Sequence, residues 1–190
     1  EGEALERALF LCRKRIEKGV LAAGIQHFYL CSLSARSLIY KGMFLAEHID
    51  AFYPDLTDER FTAAVAIFHQ RYSTNTFPEW RLAQPFRMLA HNGEINTRKG
   101  NLNWMKSHEI RMAADAFGDF GDDVKPVIQD ASGSDSMALD NTFEVLVRAG
   151  RDAPMAKALL IPEAWAHKSD EQIKACPTMR FYMVTALWLH

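Results

Sequence analysis

The residues best suited to chemistry lie between positions 68 and 100, where polar and charged side chains separate two apolar runs. His69 and Arg71 follow the first run, and a Ser/Thr/Asn cluster comes after them at 73–76. An Asn-Gly pair follows the second run at 92–93. Loops at the ends of rigid elements carry much of the binding and catalysis in proteins. We therefore expect this segment to form the working face of the domain.

The pair Asn92-Gly93 is typical of a tight turn after a strand, and a turn alone would explain it. It also has a chemical use. Gly93 has no Cβ, so its backbone N–H can approach a ligand closely, and the Asn92 side-chain amide supplies a second donor. Two neutral donors fixed side by side can hold the negative oxygen of a tetrahedral intermediate. The residues alone leave both interpretations open.

Two charged residues are candidates for the rest of a ligand pocket. Arg71 leaves an apolar run, where its guanidinium would either pair with a carboxylate through two parallel hydrogen bonds or form a loose surface ion pair. Asp135 follows Ser134 at a predicted helix start, where a carboxylate either stabilises the helix terminus or binds an ammonium group. Together with the donors at 92–93, these charges would suit an amino acid with a reactive side-chain carbonyl, such as glutamine.

Metal binding is not predicted. His69 and His91 have no Cys, Asp or Glu partner at the spacing of a metal site, so we expect both to be packing histidines. The three cysteines are scattered and lack CxxC spacing, which argues against a zinc site or a disulfide framework and favours a reducing compartment. Cys12 falls on the apolar side of a predicted helix, so we expect it to be buried.

The elements that must position these residues alternate irregularly. Apolar spacing and helix-terminus signals predict helices, and short apolar or aromatic runs predict strands. The predicted helices are 3–18, 43–52, 102–117, 137–149 and one opening at Pro154, and the predicted strands are 25–33, 38–40, 61–68 and 126–128. Without a regular strand–helix–strand repeat, this pattern predicts a layered α+β domain.

Composition limits the function. The chain has 190 residues, of which 48% are hydrophobic and 24% are charged, and its net charge is −2. These values predict one globular domain, and they argue against a nucleic-acid partner or a membrane surface. The sequence has no run of about 18 apolar residues, so no segment is expected to span a membrane.

Three motifs resemble the glutaminase domain of glutamate synthase large chains. They are HQRYSTNT at 69–76, PEWRLAQPFRMLAHNGEINT at 78–97 and SGSDSMALDN at 132–141. The upstream segment FYLCSLSARSLIYKGMF is similar to the same family, and the likeness is strongest over residues 5–165. The shorter cores His-x-Arg-Tyr-Ser-Thr and His-Asn-Gly occur more widely among class II glutamine amidotransferases, and the long flanks favour glutamate synthase among them.

The resemblance implies a fold and a reaction. The fold is that of an N-terminal-nucleophile hydrolase, a four-layer αββα sandwich of mostly antiparallel sheets. In such enzymes the mature chain begins with a Cys whose thiolate attacks the glutamine amide, while its own α-amino group acts as the base. A glutamyl thioester forms as ammonia leaves, and water then releases glutamate.

The resemblance also implies roles for individual residues. Asn92-Gly93 is similar to the oxyanion hole, Arg71 to the residue that holds the glutamine α-carboxylate, and Asp135 to the residue that holds its α-amine. Tyr72 and Thr74 resemble residues that line the same pocket. These roles match the chemistry that the residue types allow.

The sequence departs from the family pattern at both ends. It begins with Glu, and neither Cys12 nor Cys31 matches the N-terminal nucleophile in motif, so we expect the isolated chain to lack glutaminase activity. The tail at 166–190 diverges, and the family's Glu-Pro-Trp-Asp-Gly segment is not found there. We therefore interpret residues 1–190 as a single partial amidotransferase domain with an incomplete sandwich.

The resemblance further implies a larger enzyme around this domain. There, ammonia from L-glutamine would aminate 2-oxoglutarate, with FMN and an iron–sulfur cluster in the remaining synthase domains and a small subunit or ferredoxin as partner. No cofactor or metal is assigned to this domain itself. The implied location is the cytoplasm, or the plastid stroma in a photosynthetic eukaryote. The alternative function is a non-catalytic module that binds glutamine or glutamate.

Overall fold

A computed structural model describes residues 1–70, 77–91, 95, 98–110, 112, 115–129, 132–161 and 168–175. The α-helices over these residues are α1 (Gly2–Ala22), α2 (Ile49–Phe52), α3 (Arg98–Glu109), α4 (Gly121–Val124), α5 (Asp135–Arg148), α6 (Ala153–Leu160) and α7 (Asp170–Ala175). Short 3-10 helices lie at Ala46–His48, Pro54–Thr57, Trp80–Leu82 and Asp115–Phe120. In this part of the chain, none of the helices combines the length and the apolar character needed to cross a bilayer.

The predicted fold class is wrong. The described residues form helices and no strand, so they show neither an α+β domain nor a four-layer αββα sandwich. All four segments predicted as strands have an irregular backbone instead: 25–33, 38–40, 61–68 and 126–128.

The apolar run at 61–68 shows why a strand-like sequence does not form a strand here. Its backbone makes one hydrogen bond to other described backbone, from Phe61 N to Asp58 O at 2.8 Å. Its side chains are largely in solvent, with Phe68 86% exposed. A strand is stable only when a neighbour pairs with its N–H and C=O groups. No segment within the described ranges supplies that ladder.

The predicted helix at 3–18 is confirmed, and α1 continues to Ala22. The side that it buries differs from the apolar stripe of the sequence. Leu5 and Ile16 are 39% and 40% exposed, and Cys12 is also exposed, so the prediction that Cys12 is buried is wrong. The residues that α1 does bury are mostly charged, namely Glu6, Phe10, Arg13 and Lys14.

Ion pairs with α5 explain why α1 turns a charged side inward. Arg13 donates to Glu17 at 2.8 Å and also to Glu144 of α5, and Arg13 is only 3% exposed. Glu6 pairs with Arg148 of α5 at 2.9 Å. A charge can be buried when an opposite charge and hydrogen bonds replace its water. These pairs therefore outweigh the apolar stripe in setting the buried face of α1.

Two apolar clusters accompany the ion pairs. The larger one combines side chains from α1, α3, α5 and the segment 115–127, which includes α4. Its members are Phe10, Met105, Phe117, Val124, Val127 and Val145. The smaller one joins residues 82–86 to the first turn of α5, and its members are Leu82, Phe86 and Met137. Burial of apolar surface stabilises both contacts. The clusters thus hold α5 against α1 and against the segment that precedes the His-Asn-Gly motif.

The helix predicted from Ser132-Gly133-Ser134-Asp135 is confirmed. Ser134 is the N-cap of α5, and its hydroxyl oxygen accepts a hydrogen bond from the backbone N–H of Met137 at 3.0 Å. This cap fixes where α5 begins, and therefore where Asp135 stands at its first turn.

Replacing Ser134 with alanine is expected to lower the free energy of unfolding by about 1 kcal/mol, because one backbone N–H at the start of α5 loses its acceptor. Replacement with threonine keeps an oxygen at this position and should restore most of that loss. Urea unfolding followed by circular dichroism measures both variants. Equal stability of the wild type and Ser134→Ala would show that the cap contributes nothing.

Candidate functional site

Most of the predicted site lies outside the described residues. The predicted site residues that are not described are Arg71, Tyr72, Thr74, Asn92 and Gly93. Their roles therefore stay predictions. Asp135 is described, and so are His91 and Ile95, which flank the segment that contains Asn92-Gly93. These flanking residues show how the start of α5 is connected to the His-Asn-Gly motif.

Asp135 is half-buried and contacts the chain just after the motif. Its Oδ2 accepts a hydrogen bond from the backbone N–H of Ile95 at 3.1 Å. Its Oδ1 accepts from the N–H and the hydroxyl of Ser136, at 2.6 Å and 3.1 Å. An ionised carboxylate has about four lone-pair positions, so these three contacts leave capacity for a further donor. Asp135 can therefore hold the backbone at Ile95 and still accept from an ammonium group.

His91, the first residue of the His-Asn-Gly motif, makes a matching contact. Its Nε2 lies 2.7 Å from Oγ of Ser136, which is buried in the first turn of α5. His91, Ser136 and Asp135 thus form one polar chain at the start of the helix. His91 is half-buried, and its contact with Ser136 is compatible with the packing role predicted for it. No sequence signal singled out Ser136.

Residues adjoining all three predicted site segments line one open groove of about 1890 Å³. Its lining includes His69 and Gln70 before the first segment, His91 and Ile95 around the second, and Asp135. The groove is larger than a single amino acid requires. His69 is exposed there, so the prediction that it packs is wrong.

The segment that leads to the motif is anchored to two helices. The backbone N–H of Met88 donates to Asp140, a buried carboxylate on α5, at 2.8 Å. Arg87 pairs with Glu17 of α1 at 3.1 Å and donates to the carbonyl oxygen of Leu30 at 2.5 Å. These contacts fix the register of residues 87 and 88 on α1 and α5.

Burial raises the pKa of Asp140 to about 6, because the interior removes water from the charged form of its carboxyl. Glu144 on the same helix adds to the rise by charge repulsion. The Met88 N–H and the Arg87 guanidinium act in the opposite direction, since both favour the ionised form. Desolvation is the largest of these effects.

Asp140 should make the protein less stable as the pH rises from about 4 to about 6. The pKa of its carboxyl is about 6 in the folded state and about 4 in the unfolded state. The folded state therefore binds more protons than the unfolded state across this window, by up to about one proton. The free energy of unfolding consequently falls as the pH increases. Asp140→Asn should lack this fall. Urea unfolding at a series of pH values measures it, and identical slopes for both proteins would contradict the prediction.

The described part of the site consists of a carboxylate, an imidazole and a hydroxyl, groups that can act by charge and hydrogen bonds. Within the described ranges, no group of three or more His, Cys, Asp or Glu side chains is arranged to hold a metal ion. Cys12 and Cys31 are both free thiols.

The sequence comparisons agree with these motifs. The family model of class II glutamine amidotransferases matches residues 1–188, so the chain belongs to this family. The resemblance to glutamate synthases is confirmed by individual relatives. The chain is 65% identical over 162 residues to the glutamate synthase [NADPH] large chain of Azospirillum brasilense, a match that covers 85% of this chain and 11% of the relative.

Further relatives show the same pattern. The glutamate synthase [NADPH] large chain of Bacillus subtilis is 45% identical over 172 residues, which is 89% of this chain and 11% of the relative. A chloroplastic ferredoxin-dependent glutamate synthase of Oryza sativa is 44% identical over 179 residues, which is 94% of this chain and 11% of the relative. The chain thus spans about a ninth of the length of these relatives.

Proposed function

We propose that this chain supplies the glutamine-binding part of a glutaminase, which hydrolyses L-glutamine to glutamate and ammonia. The observation that carries the proposal is the connection of the start of α5 to residues on both sides of the Asn92-Gly93 pair. Ser136 contacts His91, which precedes this pair, and Asp135 accepts from the N–H of Ile95, which follows it. A carboxylate suited to an α-amine is thereby tied to the residues that resemble an oxyanion hole.

Each end of the substrate has a proposed partner. Asp135 binds the α-ammonium group of glutamine, and Arg71 binds its α-carboxylate through paired hydrogen bonds. When a nucleophile adds to the side-chain carbonyl carbon, Asn92-Gly93 donates to the oxygen that becomes negative. The C–N bond then breaks to release ammonia, and water completes the hydrolysis. Tyr72 and Thr74 line the pocket, and we assign no residue of this chain as the nucleophile.

For the whole protein we propose the activity named in its relatives, glutamate synthesis, in which the released ammonia aminates 2-oxoglutarate. FMN and an iron–sulfur cluster would belong to regions of the relatives that this chain does not span. The relatives include a form named for NADPH and a ferredoxin-dependent form, so the similarity is compatible with either electron donor. The rice relative is named as chloroplastic, and a cytoplasmic or plastid location stays a prediction for this protein.

Calorimetric titration of the full-length gene product with L-glutamine tests the proposed function. N-acetyl-L-glutamine is the matched control ligand, because it keeps the side chain and the carboxylate but has no ammonium group. Losing one charged contact in a desolvated site costs about 2 kcal/mol or more, so the control should bind at least about 30-fold more weakly.

Equal binding of the two ligands, or no binding of either, would contradict this function. Binding of L-glutamine by the full-length gene product without release of ammonia would favour the non-catalytic binding module.

A further inference from the structure

Two side chains of α5 hold the segment 88–91, which ends at the first residue of the His-Asn-Gly motif. Ser136 and Asp140 are four residues apart, so they lie on one face of the helix, about 6 Å apart along its axis. Ser136 Oγ contacts His91 Nε2 at 2.7 Å, and Asp140 accepts from Met88 N–H at 2.8 Å. Two bonds, three residues apart along the segment, therefore set its register against α5.

Asp140 is an energetically costly acceptor for the backbone N–H of Met88. It is 1% exposed, and it forms no salt bridge with any residue that the structure describes. An aliphatic side chain would avoid the cost of burying a carboxylate but would leave the N–H of Met88 unpaired. We therefore expect Asp140 to orient the segment more than it adds to net stability.

Contacts from α1 hold the same segment from a second helix. The Arg87 guanidinium pairs with Glu17 at 3.1 Å and lies over the ring of Tyr29, with 4.7 Å from its Cζ to the ring centroid. Glu17 also pairs with Arg13, which in turn contacts Glu144 of α5. The two helices that hold the segment are thus joined to each other.

We propose that Asp140 is a positioning residue for the glutamine site, an inference that rests on the proposed function. Its carboxylate fixes the backbone at Met88, and so sets the placement of the donors at 92–93 relative to Asp135. Asp135 and Asp140 belong to one helix. In this proposal α5 therefore positions both the residue that binds the substrate amine and the segment whose donors bind the amide oxygen. An oxyanion donor works only within hydrogen-bond reach, and a misplacement of about 1 Å costs up to about 100-fold in rate.

Three variants of the full-length gene product test this role. Asp140→Ala removes the acceptor, and Asp140→Asn keeps an oxygen for Met88 N–H without the charge. Val145→Ala is the matched control, since Val145 is buried on the same helix but packs in the larger apolar cluster.

For Asp140→Ala we expect kcat for glutamine hydrolysis to fall about 10- to 100-fold, with KM changed less than about threefold. Asp140→Asn should stay within about threefold of the wild type, and Val145→Ala should keep its kcat per folded molecule.

Hydrogen exchange of the Met88 amide gives a second readout that does not depend on activity. It should be faster in Asp140→Ala and unchanged in the other two variants. If the wild type is active, then unchanged exchange in Asp140→Ala, or a kcat no lower than that of Val145→Ala, overturns this inference alone. A wild-type protein that neither binds nor hydrolyses glutamine would overturn the proposed function and this inference with it.

Discussion

Asp135→Ala is expected to weaken L-glutamine binding by at least about 30-fold, since loss of one charged partner in a desolvated site costs about 2–5 kcal/mol. Asp135 is half-buried at the first turn of α5 and lines the groove. Its carboxylate has capacity for the α-ammonium group beside the contacts it already makes. Calorimetry gives the dissociation constant, and initial rates of ammonia release give kcat/KM.

Two further variants separate charge recognition from helix stability. Asp152→Ala also removes a carboxylate at a helix start, the exposed N-cap of α6, which makes no side-chain capping bond. It should bind glutamine like the wild type. Asp135→Asn keeps an oxygen for Ile95 N–H but loses the charge, so it should bind nearly as weakly as Asp135→Ala. Wild-type affinity in Asp135→Asn would contradict ammonium recognition at this residue.

Arg13→Met is expected to lower the free energy of unfolding by about 3–5 kcal/mol, because it leaves the buried Glu144 carboxylate without its cation and removes one of the two cations that pair with Glu17. Arg13 joins α1 to Glu144 of α5 and also contacts Glu17, and all three side chains are shielded from solvent. A loss of this size is a large part of the total stability of a domain. Urea unfolding of the purified variants gives the difference.

The control for this experiment is Arg15→Met, the same substitution on the same helix. Arg15 pairs with Asp123 at 2.8 Å, but it is 58% exposed, so its loss should change the stability by no more than about 1 kcal/mol. The double variant Arg13→Met/Glu144→Leu should regain part of the loss, since both buried charges are then replaced by apolar groups. Wild-type stability of Arg13→Met would show that charge pairing does not set the buried face of α1.

The starts of helices could be predicted because their signals are local. Ser134 caps α5 through a bond to Met137, three residues away, and this spacing is visible in the sequence. The buried face of α1 could not be predicted in the same way. Its burial depends on Glu144 and Arg148, which lie more than 100 positions further along the chain, so the apolar stripe through Cys12 gave the wrong face.

Strands were predicted where the structure has none because strand propensity describes a suitable surface, whereas a strand also needs a partner. Residues 61–68 have the composition of a covered strand, but they pair with no described segment. The site shows a similar limit. Motif likeness indicated Asp135, whereas Ser136 and Asp140 acquire their roles only from His91 and Met88, which α5 brings into contact.

A crystal structure of the full-length gene product with L-glutamate bound would test most directly whether three separate segments build one amino-acid site. We expect the α-ammonium group within about 4 Å of the Asp135 carboxylate, and the α-carboxylate within the same distance of the Arg71 guanidinium. The side-chain carboxyl should face the donors of Asn92-Gly93. A ligand bound away from Asp135, or these residues on unconnected surfaces, would contradict the proposed site.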